Sequence, residues 1–402
     1  MTGPFFQELG ENGRTCNTCH VVDQGWTISA AKVQERFDKS DGLDPLFRTV
    51  DGTNCRNDDM SNLDARRAAT GLVRFRGLIR IPRPLPANAE FTLSAVRDTH
   101  NCVAKGDPPE ELRLYRRPLP STNIKFITTV MWDGRESAPG QTLLQNLKTQ
   151  ARNATSIHAE GTQPLTDAQA EQIADFQLAL FTAQSSDVSA GSLTAQGATG
   201  GPVFLAEQEF FIGINDFLGQ DFDAKAFKIF DPWANLTPDQ ITPAQAAILR
   251  GQAIFTSPGR IGITGVNGLN DLSGKEVIFG SCSTCHSSPN LGHRSRHLLL
   301  NIGTADDNVR IFTPDIPLYT LSCPGNVVHR TTDPGLAMTT GKCADIGKFK
   351  VPILRGLAAR APYFHDGQAL TLDQVLTFYC LRFGFCVGGQ ERDDLIAFLS
   401  SL

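Results

Sequence analysis

Two short stretches carry residue types whose spacing specifies a chemistry: Cys16-Asn17-Thr18-Cys19-His20 and Cys282-Ser283-Thr284-Cys285-His286. Thiols three positions apart can each add to a vinyl group of a haem, and the histidine directly after them then lies under the iron as its axial ligand. Each stretch therefore predicts one covalently attached c-type haem. A zinc site made from the two cysteine pairs gives neither adjoining histidine a reason to be there, and neither do two unrelated thiol pairs.

Other residues qualify as ligands or proton carriers. Breaking the O–O bond of a peroxide needs a base that takes a proton from one oxygen and delivers it to the other. Gln145, His158 and Glu160 fall in one polar span and suit that task, although each would serve equally as a surface residue. For the second iron, Tyr379 follows Leu372, Val375 and Leu376 on one helical face. It is either a core tyrosine or a phenolate ligand of the kind known in catalase. Met338 is the only methionine after the second motif and competes with it, as do His293 and His297.

The elements that must position these groups are mostly helices. Thr166-Asp167-Ala168-Gln169 and Thr242-Pro243-Ala244-Gln245 are capping boxes ahead of amphipathic runs, and Thr371-Leu372-Asp373-Gln374 opens the Tyr379 helix. Trp26 is expected to pack near the first haem, and residues 124–130 to run as a strand or extended segment into Met131-Trp132-Asp133-Gly134-Arg135. The arginines of 66–83, with Arg113, Arg116 and Arg117, read as a solvated face with one or two haem-propionate contacts. Pro82, Pro84 and Pro86 argue for an extended connection there. A Ser/Gly/Ala/Thr-rich stretch at 185–201 reads as a surface connection, and the Phe-rich 204–230 as core. The expected domains are 1–190 and 191–402, with the second haem core over about 241–402.

The 402 residues hold 37 basic and 42 acidic side chains, a balance that offers no general attraction to nucleic acid. No run reaches the roughly 18 apolar residues of a membrane span. Haem c is attached outside the cytoplasm, so a periplasmic protein whose export signal is absent from this chain is expected. The cysteines outside the motifs are Cys55, Cys102, Cys323, Cys343, Cys380 and Cys386. Proximity favours disulfides 55–102, 323–343 and 380–386, against free buried thiols.

Together, the two haem motifs, Trp132-Asp133-Gly134-Arg135, Lys348-Phe349-Lys350-Val351-Pro352-Ile353-Leu354-Arg355-Gly356 and Ala361-Pro362-Tyr363-Phe364-His365-Asp366-Gly367 resemble the bacterial di-haem cytochrome c peroxidase superfamily, including MauG-type enzymes. The resemblance implies a mainly α fold of two cytochrome c-like haem domains with long loops and little β structure. It implies an N-terminal haem that reacts with hydrogen peroxide, a C-terminal haem for electron transfer, and Trp132 between them. It matches Gln145 to the family's pocket glutamine. The family's pocket glutamate falls at Thr155, so His158 and Glu160 stand as substitutes. No histidine occurs in 21–55 to close the first iron, and Tyr379 stands where such peroxidases place methionine, as in the MauG-like branch. A calcium ion between the domains is implied near Arg360 and Pro362.

Implied partners are hydrogen peroxide and a redox protein, either a protein substrate or a small cytochrome or cupredoxin donor. The alternatives are a cytochrome c peroxidase that removes peroxide with a small cytochrome, a di-haem electron carrier, and a protein similar to the longer rubber-cleaving di-haem oxygenases.

Overall fold

A computed structural model describes residues 2–216, 227–292, 294–311 and 313–402. Helices outweigh strands, and long irregular segments join them. The main helices are Ala30–Ser40, Leu143–His158, Asp167–Leu178, Pro243–Thr256, Leu372–Phe383 and Gly389–Ser400. Their starts follow local chemistry. Thr166 and Thr242 accept from the backbone N–H of Gln169 and Gln245 in full capping boxes, and Thr371 accepts from that of Gln374.

The largest core lies in the second half, where the helices Pro243–Thr256 and Gly389–Ser400 bury Ile248, Phe255, Leu395 and Phe398. Each such side chain contributes roughly 1.5–3 kcal/mol by leaving water. The helices approach so closely that a Cβ at Gly251 would run into the carbonyl oxygen of Asp394, which explains a glycine in mid-helix. The first half distributes its apolar residues over smaller clusters. One holds Phe5, Trp26, Ala151 and Ile173, with Trp26 packed beside Cys16 as expected.

Strands tie the halves together. Thr92–Arg97 pairs antiparallel with Leu318–Cys323, which pairs in turn with Val327–Thr331. A second antiparallel pair, Ile79–Pro84 with Glu111–Arg116, accommodates Pro82 and Pro84 because each strand has only one partner. The anticipated extended connection is thus a strand.

Two further expectations change. Residues 124–130 contain a 3-10 turn, Ile124–Phe126, rather than a strand. The arginines are only in part a solvated face: Arg67 is exposed, but Arg80, Arg113 and Arg116 are fully buried. Arg80 donates to the carbonyls of Thr49, Val50 and Thr53, and Arg116 is fixed by Asp133 at 2.6 Å and Asp333 at 2.6 Å. Burial without these acceptors would cost several kcal/mol per cation.

The 185–201 segment includes a short hairpin, Ser186–Asp187 with Gly191–Ser192, and sends Ala190, Leu193 and Ala198 into the second core. Of the Phe-rich stretch, Phe227 and Phe230 are core, Phe204 and Phe211 are exposed, and 217–226 lie outside the described residues. The anticipated pairings are the disulfides Cys55–Cys102, Cys323–Cys343 and Cys380–Cys386. No helix among the described residues is long and apolar enough to cross a membrane.

Candidate haem cavities and the wall between them

Each Cys-x-x-Cys-His stretch forms a single 3-10 turn, and His20 and His286 donate their backbone N–H to Cys16 and Cys282 carbonyls at 3.0 Å. The turn aims both thiols and the imidazole into one cavity. All four motif cysteines are free. Burial pushes Cys16 and Cys282 up to about 12 and Cys19 up to about 11, so they are neutral thiols. Disulfide exchange requires a thiolate, which this setting disfavours.

The first cavity is lined by Cys16, Cys19 and His20. His20 Nδ1 lies 3.1 Å from the carbonyl oxygen of Trp26 and 2.9 Å from Ser121 Oγ. Donation from Nδ1 to the carbonyl leaves Nε2 with its lone pair for a metal. Burial lowers the His20 pKa to about 4, which keeps the ring neutral.

A polar group occupies another part of the same cavity. His158 Nδ1 lies 2.5 Å from Asp51 Oδ2, and Arg14 Nη1 lies 2.6 Å from Asp51 Oδ1. Arg14 Nη1 also donates to the His158 carbonyl at 3.0 Å. Burial would raise the Asp51 pKa, but Arg14 and His158 outweigh it and the carboxyl is held below its ordinary value. Asp51 therefore stays an acceptor and fixes the His158 ring.

The second cavity is lined by Cys282, Cys285, His286 and Tyr379. Burial lowers His286 to about 4. It also raises the Tyr379 pKa, reinforced by the neighbouring Cys282 and Cys285, so without a cation the phenol keeps its proton. The Tyr379 ring stacks on Phe383 at 6.2 Å.

Trp132, Arg117 and Lys350 line both cavities and form the wall between them. Trp132 is buried and its Nε1 donates to the Arg117 carbonyl at 2.8 Å. Its own carbonyl accepts from Lys350 N at 2.8 Å. Among the described residues the second cavity has no carboxylate in its lining, yet Arg117, Lys350 and Arg360 line it. Burial lowers all three, Lys350 to about 7. Such a lining fits a flat apolar group that brings its own carboxylates, as haem does.

The remaining expectations are redistributed. Gln145 is exposed and its side chain caps the N–H of Thr142, so it does not reach the first cavity. The Thr-x-x-Gln pattern at 142–145 is itself a capping box, a signal that competes with a pocket role. Gln150, one turn further, does line the cavity. Glu160 is exposed and held by Asn12 Nδ2 at 2.9 Å, outside the lining. Met338 is buried in a separate core with Phe91, Leu112 and Tyr319, too far from the second cavity to line it. His297 is exposed and does not line the second cavity, and His293 lies outside the described residues. The Arg360 carbonyl, near which calcium is implied, accepts from Arg117 Nη2 at 2.9 Å. Two buried guanidinium groups there repel a divalent cation. Arg14, Asp51 and Lys350 had no functional expectation attached.

No protein-family model matches the chain. A cytochrome c peroxidase of Denitromonas iodatirespirans is 33% identical over 135 residues, which is 31% of this chain and 36% of that protein. A cytochrome c551 peroxidase of Nitrosomonas europaea is 31% identical over 142 residues, 34% of this chain and 35% of that one. This chain is related to bacterial cytochrome c peroxidases. The matched region spans about a third of the length of these relatives. A solved MauG-like protein associated with microbial copper homeostasis superposes with a TM-score of 0.45 and 15% identity over 99% of this chain and 85% of that one.

Proposed function

We propose that this relative of the cytochrome c peroxidases is a periplasmic oxidoreductase with two covalent c-type haems, reacting with hydrogen peroxide in the His20 cavity and sharing oxidising equivalents with the His286 cavity. The observation that carries this reading is the shared wall: two cavities, each with its own Cys-x-x-Cys-His turn, meet at one buried tryptophan.

When bound, the haems supply the electron storage and the iron at which peroxide is reduced. The chain supplies the rest. Cys16 and Cys19, and Cys282 and Cys285, would form the thioethers; His20 and His286 would hold the irons through Nε2. Tyr379 would give the second iron an anionic oxygen, which favours oxidised states. Reduction of hydrogen peroxide to two waters takes two electrons and two protons. His158, with Nδ1 fixed on Asp51, can accept and return a proton at Nε2 while Arg14 keeps Asp51 ionised. Trp132 offers the aromatic step between the cavities.

The electrons come either from a partner protein whose side chain is oxidised, as in MauG-type chemistry, or from a small cytochrome or cupredoxin. Tyr379 in the second cavity favours the first source. The names of the relatives favour the second.

Optical and paramagnetic resonance spectra of the ferric protein, before and after one equivalent of hydrogen peroxide, test the reading. One high-spin and one low-spin haem that both change with peroxide support it. Two low-spin haems unmoved by peroxide would make the protein an electron carrier.

A further inference from the structure

Among the described residues Lys350 has no counter-ion. Lys350 lines both cavities and is only 6% exposed. Among the described residues no hydrogen bond or ion pair holds its Nζ, and burial alone accounts for its lowered pKa. Its backbone N–H donates to the Trp132 carbonyl at 2.8 Å, which fixes where the side chain leaves the wall. The other cations of the wall are better provided for. Arg117 donates to the carbonyls of Arg76 and Arg360, and Arg360 to those of Gly356 and Ile353. In the first cavity the one carboxylate among the described residues, Asp51, is already taken by Arg14 and His158. A buried ammonium left alone costs several kcal/mol, a cost that a carboxylate arriving with whatever fills the cavities would offset.

We infer that Lys350 is a shared counter-cation, taking a carboxylate side arm of the group in each cavity and so coupling the reduction potentials of the two sites. This rests on the haem reading above. A positive charge between two irons favours the reduced state of both, and a coupling of this kind acts equally in either direction.

The test is a spectroelectrochemical titration of the haem-loaded protein and its Lys350→Met and Lys350→Arg variants, following each haem by its own optical band. In Lys350→Met both midpoint potentials should fall together, by about tenfold in the ferric to ferrous ratio at fixed potential, or about 59 mV for a one-electron couple. Lys350→Arg should restore both. If Lys350→Met loses a haem, Lys350→Gln is titrated in its place, with the same fall expected. A fall confined to one haem, no fall, or failure of arginine to restore would overturn the inference alone. A wild-type chain without two covalent haems by pyridine haemochrome count would overturn the haem reading and the inference with it.

Discussion

His158 Nδ1 sits 2.5 Å from Asp51 Oδ2, a contact made across 107 residues of chain and at the lining of the first cavity. It gives the ring one orientation, with Nδ1 turned to the carboxylate. If His158 manages the peroxide protons, His158→Gln should slow the stopped-flow reaction with hydrogen peroxide by roughly 10²–10⁴-fold. Asp51→Asn should slow it less, because the ring is misdirected and not removed. Equal rates in all three proteins would leave proton transfer to another group.

Tyr379→Phe removes the one hydroxyl that the Leu372–Phe383 helix presents to the second cavity. The low-spin ferric signal of the second haem should change while that of the first persists, measured by paramagnetic resonance. An unchanged spectrum would rule out the phenolate.

Trp132→Phe leaves the Arg117 carbonyl without its donor in a buried wall. Stability should drop by about 1–3 kcal/mol. The peroxide reaction at the first site should continue, and the oxidation of the second site should lag behind it. Simultaneous oxidation of both haems in the variant would show that the indole is not on the route.

Asp133 is fully buried among Arg116, Arg135 and Arg83. Burial would raise its pKa, but the three guanidinium groups reverse this and hold the carboxyl well below the usual range. A depressed native pKa contributes stability that is present above the unfolded value of about 3.9 and is lost as pH falls toward the native one. Thermal melts should therefore show an acid-side loss below about pH 4 that Asp133→Asn lacks. At neutral pH that variant should be less stable by about 3–5 kcal/mol.

Loop length ranks the disulfides. Cys55–Cys102 spans 47 residues and Cys380–Cys386 spans 6. On chain entropy alone, replacing the first pair by serine should cost about 4 kcal/mol and the second about 2 kcal/mol. Denaturant titration of the two double variants would reverse the order if native packing, and not the open chain, dominated.

Local chemistry was the legible part. The capping threonines, the attachment turns and the three disulfide pairings all follow from residues near one another in sequence. What escaped was set by distance. Nothing in the neighbourhood of Arg14 or Asp51 announces that they meet His158, and the arginines looked solvated because Arg116 finds Asp333 217 residues away. Gln145 escaped for the opposite reason: its nearest neighbour, Thr142, had already claimed it. Lys350 was in view as part of a motif, but a shared wall exists only once both halves are folded.

The sheet that places Thr92–Arg97 against Leu318–Cys323 makes the two haem regions inseparable by a single cut. A protease that nicked the 185–201 connection would yield two fragments still clasped through backbone hydrogen bonds and the Arg116–Asp333 pair. Such a nicked protein would migrate as one particle in native gels and as two bands after denaturation, both of them red if each turn holds a covalent haem as proposed. The chain is in that sense a preassembled complementation pair.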